Sequence, residues 1–257
     1  MRSRAPNTSP AQARRLGVAR VLSKAGLCSR SEAAAWVAAG RVQVNGRGVV
    51  DAEHPVDTAR DEVRIDGRPL DAMARQYLML NKPRGLVTTA RDEQGRETVY
   101  RCFDGAGLPW IAPVGRLDRA SEGLLLFSND PEWAARITDP LHGLKKTYHV
   151  QVDTLPDAGL LARLEQGIDA EGETLAAHSA QLLRRGEKNA WLEIVLDEGR
   201  NRQIRRLLEA FDIAVLRLVR VAIGPLQLGD LGKGQWRRLD ASEVAALAPV
   251  ARGTVPR

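Results

Sequence analysis

The residues best suited to chemistry lie in the run GRLDRASEGLLLFSND, residues 115–130. If this run begins as an extended segment, Arg116 and Asp118 point to the same side and Leu117 points into the core. A carboxylate flanked by arginines, directly before an apolar stretch, would be held ionised at the edge of a pocket. The run therefore predicts an ionised carboxylate near a pocket at Asp118.

Two other interpretations of this run stay open on the residues alone. Asp118 could cap a turn, with Arg119 solvated beside it. Asp118 could also pair with Glu122 as the two carboxylates of a hydrolase, although the turn at residues 121–123 is expected to aim Glu122 elsewhere.

Common cofactor and metal motifs are missing from the sequence, which contains no G-x-G-x-x-G, H-E-x-x-H or G-x-S-x-G pattern. Cys28 and Cys102 lie far apart, and neither has a Cys or His neighbour at metal-ligand spacing. The prediction is a reaction without a metal, a nucleotide or any other cofactor, or no reaction at all.

Four further segments flank the run in a fixed order: LNKPRGLVTT before it, then KKTYHVQV, EGRNRQIRRLLEAF and RLVRVAIGPLQLGDLGKGQWRRL after it. Together the five segments resemble the signature of the pseudouridine synthases that act on ribosomal RNA. The resemblance extends from about residue 15 to 240. Two departures, Ser121 for the usual Thr and Pro131 for a common Gly, touch no residue with a chemical role.

The resemblance implies specific roles for site residues. Asp118 would be the essential carboxylate, Arg205 its fixed positive charge, and Tyr148 the aromatic ring that stacks on the target base. Arg116 would fill the space left when the target uridine leaves its stack. Cleft or phosphate contacts are implied more loosely for Lys82, Arg200 and Arg202.

The elements that must position these residues form the larger part of the chain. Short apolar runs at residues 77–80, 86–89, 124–127, 148–152, 191–196 and 214–221 predict strands, and helical patterns occur at residues 132–138, 158–167 and 203–211. Strands outnumber helices and do not alternate strictly with them. The predicted fold class is α+β, with helices packed on a mixed, mainly antiparallel sheet.

The front of the chain has a different character. Residues 1–48 hold nine basic residues and one acid. Their net charge of 9 − 1 = +8 exceeds the net charge of +6 for the whole chain. A helical pattern begins at Arg14 and ends at Gly26, and Ser29 with Glu32 forms a capping box before a second helix. Asn45-Gly46 then predicts a hairpin turn. We expect a compact helix-helix-hairpin module that binds RNA.

This module resembles the small RNA-binding domain first described in ribosomal small-subunit protein four, the alpha-L motif. The resemblance is carried by LSKAGLCSRSEAAAWVAAGRVQVNG. It implies that six residues face RNA phosphates: Arg15, Lys24, Ser29, Arg30, Arg41 and Asn45.

The predicted organisation is a flexible leader at residues 1–13, an RNA-binding domain at 14–71, a pseudouridine synthase domain at 76–243 and a tail at 249–257. The expected partner is ribosomal RNA, with a lean toward the large subunit, or an assembling ribosomal subunit. We expect no membrane partner, a cytoplasmic location and a monomer. The alternative function is a catalytically idle RNA-binding or ribosome-assembly protein on the same fold.

Overall fold

The structure, a computed structural model, describes residues 15–90, 92–139, 144–170 and 172–247. The chain divides into two compact units between Ala74 and Arg75. The predicted leader at residues 1–13 and tail at 249–257 lie outside the described residues. No helix among the described residues is long and apolar enough to cross a membrane.

The first unit begins with two short helices, α1 (Val18–Lys24) and α2 (Arg30–Ala38). The predicted capping box is present: the Ser29 hydroxyl accepts a hydrogen bond from the Glu32 amide at 3.1 Å, and the Ser29 amide donates to the Glu32 carboxylate at 3.0 Å. These bonds satisfy two backbone donors that the first helical turn leaves without partners.

Short strands complete the first unit: β1 (Leu16–Gly17), β2 (Val42–Val44), β3 (Arg47–Gly48), β4 (Pro55–Val56), β5 (Val63–Ile65) and β6 (Arg68–Pro69). Four of them form an antiparallel sheet in the order β3-β2-β5-β6, and β1 pairs with β4. The predicted hairpin turn is present, with positive φ at both Asn45 (51°) and Gly46 (77°). The first helix starts later than predicted, at Val18, because Leu16 and Gly17 pair with β4 instead.

The second unit is built on one large sheet and a two-stranded hairpin. Its strands are β7 (Tyr77–Lys82), β8 (Ala112–Val114), β9 (Glu122–Ser128), β10 (Lys146–Val152), β11 (Ile168–Ala170), β12 (Glu173–Leu175), β13 (Ser179–Arg185), β14 (Ala190–Leu196), β15 (Val215–Ile223), β16 (Leu226–Gln227) and β17 (Trp236–Arg238). The large sheet has the order β13-β14-β10-β15-β9-β7-β17, with β16 beside β15 and β8 beside β9. Among the described strands, β9 and β15 are parallel and the other pairs are antiparallel. The predicted mixed, mainly antiparallel α+β fold is confirmed.

Helices cover the two faces of this sheet: α3 (Pro131–Thr138), α4 (Ala158–Gln166), α5 (Gln203–Glu209) and α6 (Ala241–Leu247), with a 3-10 helix at Val99–Phe103. Strand β9 divides the core by alternation, since Leu125 and Phe127 pack with α4 and α5 while Leu124 and Leu126 pack with α3 and α6. We call the first of these the α5 face and the second the α3 face. The α5 face also holds Leu117, so it carries the candidate site.

One predicted strand is wrong. Residues 86–89 form no strand, and Val87 makes only a single bridge to Thr98. This segment instead runs along the loop that precedes β9, where a Thr88 hydrogen bond described below replaces strand pairing.

Candidate active site

Asp118 lies in the loop between β8 and β9, at a cleft of about 410 Å³. Arg116 is exposed, Leu117 is buried, and the Asp118 side chain is 36% exposed. Arg116 and Asp118 both line the cleft, as the extended interpretation expects. Asp92, Glu93, Gln94 and Arg96 also line this cleft.

Lys82 supports the Asp118 loop from inside the protein. Its side chain is fully buried, and its ammonium donates hydrogen bonds to the backbone carbonyls of Asp118 (3.1 Å), Ser121 (2.9 Å) and Pro83 (3.2 Å). Burial lowers the pKa of Lys82 to about 8, although the negative charge of Asp118 opposes that shift. The three carbonyls use all three donors of the ammonium, so in this structure Lys82 holds the Asp118 loop, and its loosely implied cleft or phosphate contact stays a prediction.

Two further contacts fix the same loop. The Thr88 hydroxyl donates to the Leu117 carbonyl at 2.7 Å and accepts from the Leu117 amide at 3.4 Å. The Gly85 amide donates to the Arg119 carbonyl at 2.7 Å, and the Arg119 Nε donates to the Gly85 carbonyl at 3.2 Å. Sequence analysis missed Thr88, and its signal would have been a hydroxyl residue shortly after the KPRG turn, behind Leu86 and Val87.

Arg205 and Arg202 approach Asp118 from α5 and the residue before it. The Arg202 guanidinium lies 3.9 Å from the Asp118 carboxylate. Arg205 is half-buried, and its Nη2 donates to the carbonyl of Ala120 at 3.4 Å. Among the described residues no carboxylate lies within ion-pair distance of Arg205, so Arg202 takes the position expected of Arg205 in the free protein.

The pKa of Arg205 is lowered, first by burial and then by the positive charge of Arg202. Asp118 acts in the opposite direction, and the charge of Arg84 lowers the pKa further. A guanidinium stays protonated under such a shift, because its ordinary pKa lies far above neutral pH. The site therefore holds a permanent excess of positive charge beside Asp118.

Tyr148 is buried on β10, on the same α5 face as Leu117. It pairs in register with Arg220 of β15, which pairs with Gly123 of β9. Only glycine fits at position 123, since a Cβ there would lie 2.2 Å from the Arg220 carbonyl oxygen. Tyr148 of β10, Arg220 of β15 and Gly123 of β9 therefore lie side by side across the sheet. Strand β9 begins shortly after Asp118.

Arg116 and Arg200 differ in how free their guanidinium groups are. Arg116 is exposed at the cleft. Arg200 pairs with the Glu198 carboxylate at 2.7 Å and donates to the Thr174 carbonyl at 3.1 Å. Arg200 uses Nε and Nη1 in these contacts, and its charge is partly compensated by Glu198.

Glu122 belongs to the other side of the sheet. It is buried and pairs with Arg217 at 2.8 and 3.0 Å and with Lys233 at 2.8 Å. Burial raises the pKa of Glu122, but the hydrogen bonds from Arg217 and Lys233 outweigh burial and leave the pKa below its usual value. Glu122 pairs in register with Val219, one residue before Arg220, so its side chain faces away from Tyr148. The carboxylate-pair hydrolase is excluded.

In the first unit, two predicted RNA contacts have other partners. The Ser29 hydroxyl caps α2, and the Asn45 side chain donates to Asp61 at 2.9 Å and accepts from the Glu62 amide at 2.9 Å. These groups hold the module's own turns, and the RNA contacts implied for Ser29 and Asn45 stay predictions.

The predicted cationic contacts of the first unit fall into two groups. Arg30 pairs with Glu53 at 2.8 Å, and Arg41 pairs with Asp66 at 2.6 Å and lies over the Trp36 ring at 4.9 Å. Arg15 is exposed, and Lys24 is half-buried. Arg15 is the member of the set most open to a phosphate.

Comparisons with known proteins match a family to each of the two units. Residues 76–210 match the RNA pseudouridylate synthase family and residues 17–63 match the S4 domain. A protein of Aquifex aeolicus (strain VF5), named an uncharacterized RNA pseudouridine synthase, is 40% identical over 228 residues, which cover 88% of this chain and 91% of that protein. Ribosomal large subunit pseudouridine synthase B of Bacillus subtilis (strain 168) is 36% identical over 90% of this chain and 95% of its own. A crystal structure of a pseudouridylate synthase matches with a TM-score of 0.62 and 31% identity, over 90% of this chain and 99% of the other.

The fold and these matches define an RNA-modifying enzyme with an S4 domain in front of its catalytic domain. The chain belongs to the RNA pseudouridylate synthase family. The predicted enzyme class is confirmed.

Proposed function

We propose that this enzyme converts one uridine of large-subunit ribosomal RNA into pseudouridine, with Asp118 as the essential carboxylate. The observation that carries the proposal is the Asp118 loop, which is held open to a cleft by Lys82, Thr88 and Gly85. The choice of large-subunit RNA is supported by the name of the Bacillus relative and by the EGRNRQIRR motif.

The reaction explains why an ionised carboxylate is the central requirement. Pseudouridine formation breaks the bond between the ribose and a uracil nitrogen, turns the base and rejoins it to the ribose through carbon five. The product has the atoms of the substrate, and nothing is oxidised or reduced. Addition of Asp118 to carbon six of the base and attack of Asp118 on the sugar both need its ionised form.

Arg202 and Arg205 keep Asp118 ionised when RNA covers the cleft. A carboxylate taken out of water becomes neutral unless a positive charge lies near it. Arg202 is at 3.9 Å in the free protein, and Arg205 is fixed to the end of the same loop through Ala120. Two cations for one carboxylate leave a net positive charge for the RNA.

Tyr148 and Arg116 hold the uridine outside its stack. A flipped base costs a few kcal/mol of lost stacking, and stacking on an aromatic ring returns about 1–3 kcal/mol. Tyr148 supplies that ring on the α5 face, and Arg116 fills the vacated position from the rim of the cleft.

The test is tritium release from uridine labelled at carbon five in ribosomal RNA transcripts. Wild type is expected to release tritium from large-subunit RNA, and Asp118→Asn is expected to release none while it binds RNA within a few-fold of wild type. The matched control is Asp92→Asn, a carboxylate of the same cleft that pairs with Arg96 at 2.7 Å. This control is expected to keep most of the turnover.

Turnover by Asp118→Asn would remove the catalytic assignment. Release from small-subunit RNA alone would overturn the choice of RNA. If wild type releases no tritium from either RNA or from partly assembled subunits, the idle RNA-binding protein becomes the better function. The cytoplasmic location and the monomeric state stay predictions.

A further inference from the structure

Arg84 lies at the centre of the KPRG turn that follows β7, and its side chain is exposed. Lys82 of this turn is buried beneath the Asp118 loop, whereas Arg84 points out of the protein. The resemblance described above assigns no role to Arg84.

The KPRG turn and the Asp118 loop are joined into one surface. The Gly85 amide and carbonyl, next to Arg84, both bond to Arg119, next to Asp118. Gly85 has φ +101°, a conformation that glycine adopts without strain, so the turn can present its backbone to the loop in this way. Arg84 therefore stays beside the mouth of the site even when no RNA is bound.

The charges around this surface are unbalanced. Arg84, Arg119 and Arg202 are exposed, and Arg205 is half-buried behind them. Among the described residues, the carboxylate within ion-pair distance of any of these four is that of Asp118, on Arg202. A cluster of guanidinium groups with so little compensating charge is repulsive in the free protein and is stabilised by an anion.

We propose that Arg84 binds a phosphate of the RNA backbone next to the flipped uridine. This inference rests on the proposed function and deepens it. A guanidinium can bond two phosphate oxygens at once, so Arg84 would hold the backbone beside the Asp118 loop.

The experiment measures the dissociation constant for ribosomal RNA as a function of salt for wild type, Arg84→Ala and Arg84→Lys. Each phosphate contact contributes about 0.7–0.9 to the slope of log K against log salt. Arg84→Ala is expected to lower the slope by about that amount, and Arg84→Lys is expected to keep the wild-type slope because the charge remains. The matched control is Arg185→Ala, an exposed arginine at the end of the edge strand β13, and we expect no change of slope there.

Steady-state kinetics separate binding from chemistry. Arg84→Ala is expected to raise KM by about tenfold, the effect of one lost charge-assisted hydrogen bond, with kcat at saturating RNA near that of wild type. An unchanged slope in Arg84→Ala, or an equal loss in Arg185→Ala, would overturn the inference. Since the slope is measured by binding and the proposed function by tritium release from wild type, the two can fail independently.

Discussion

Arginines are used differently in the two units of this protein. In the first unit three arginines are paired with carboxylates at 2.6–2.9 Å: Arg30 with Glu53, Arg41 with Asp66 and Arg64 with Glu62. Around the candidate site a cluster of arginines shares one carboxylate, and its members are Arg84, Arg116, Arg119, Arg202 and Arg205, beside Asp118. Several guanidinium groups of the first unit are therefore already compensated by carboxylates. Those around the candidate site have little compensating negative charge.

Charge counted along the sequence hides this difference. The first 48 residues look strongly basic, but residues 15–74 hold nine basic and eight acidic residues because seven acids follow at residues 51–71. A guanidinium already bonded to a carboxylate gains less from a phosphate, since the first bond must be broken. We therefore expect phosphate contacts at arginines without a nearby acid, rather than wherever arginine is locally in excess.

Lys82 carries its charge in the interior of the protein. We expect the largest effect from its substitution. Its folded pKa is about 8 and its ordinary value is 10.5, so between these pH values the unfolded chain binds more protons than the folded one. The folded state is therefore penalised below pH 8, and the penalty disappears as pH rises to 10.5. The difference in free energy of unfolding between wild type and Lys82→Met should shift in favour of wild type by up to about 3 kcal/mol over this range.

Denaturant unfolding at pH 7, 9 and 10.5 measures this shift. The exposed Lys188 offers a control, since Lys188→Met should differ from wild type by the same amount at each pH. A Lys82→Met difference that is constant with pH would mean that the three carbonyls hold the ammonium at no cost.

A substitution of Arg205 tests whether a positive charge without a carboxylate partner raises the rate of the reaction. Arg205→Ala is expected to lower kcat on the order of 100-fold, because it removes a fixed cation at the point where the carboxylate must stay ionised. RNA affinity should change only a few-fold. The control is Arg206→Ala on the next residue of α5, whose guanidinium pairs with Glu173 at 2.9 Å. Equal losses of kcat in the two variants would show that α5 is merely destabilised.

The parts of the structure that the sequence predicts are those fixed by neighbours along the chain. The capping box at Ser29, the hairpin at Asn45 and the burial of Leu117 each depend on residues within a few positions. Helices appear close to the predicted residues 132–138, 158–167 and 203–211 for the same reason.

The contacts that sequence reasoning did not foresee join groups that are distant in sequence. The ammonium of Lys82 bonds carbonyls 36 and 39 residues away, and the Asn45 amide bonds a carboxylate 16 residues away. Residues 86–89 have a strand-like composition, but Thr88 bonds residue 117 instead of a neighbouring strand. Polar residues in a motif can bind a ligand or hold the backbone, and residue type alone does not decide between these roles.

Arg41 gives the smallest expected effect and the most direct test of the comparison. It forms a bidentate pair with Asp66 and lies over Trp36, so its charge is compensated before RNA arrives. We expect Arg41→Ala to change the slope of log K against log salt by well under half of the roughly 0.7–0.9 per phosphate contact that Arg202→Ala should remove. If Arg41→Ala lowers the slope by the full amount of about 0.7–0.9 expected for Arg202→Ala, then Arg41 leaves Asp66 for a phosphate when RNA binds. In that case Asp66→Asn should tighten RNA binding, because it removes the competitor for the same guanidinium.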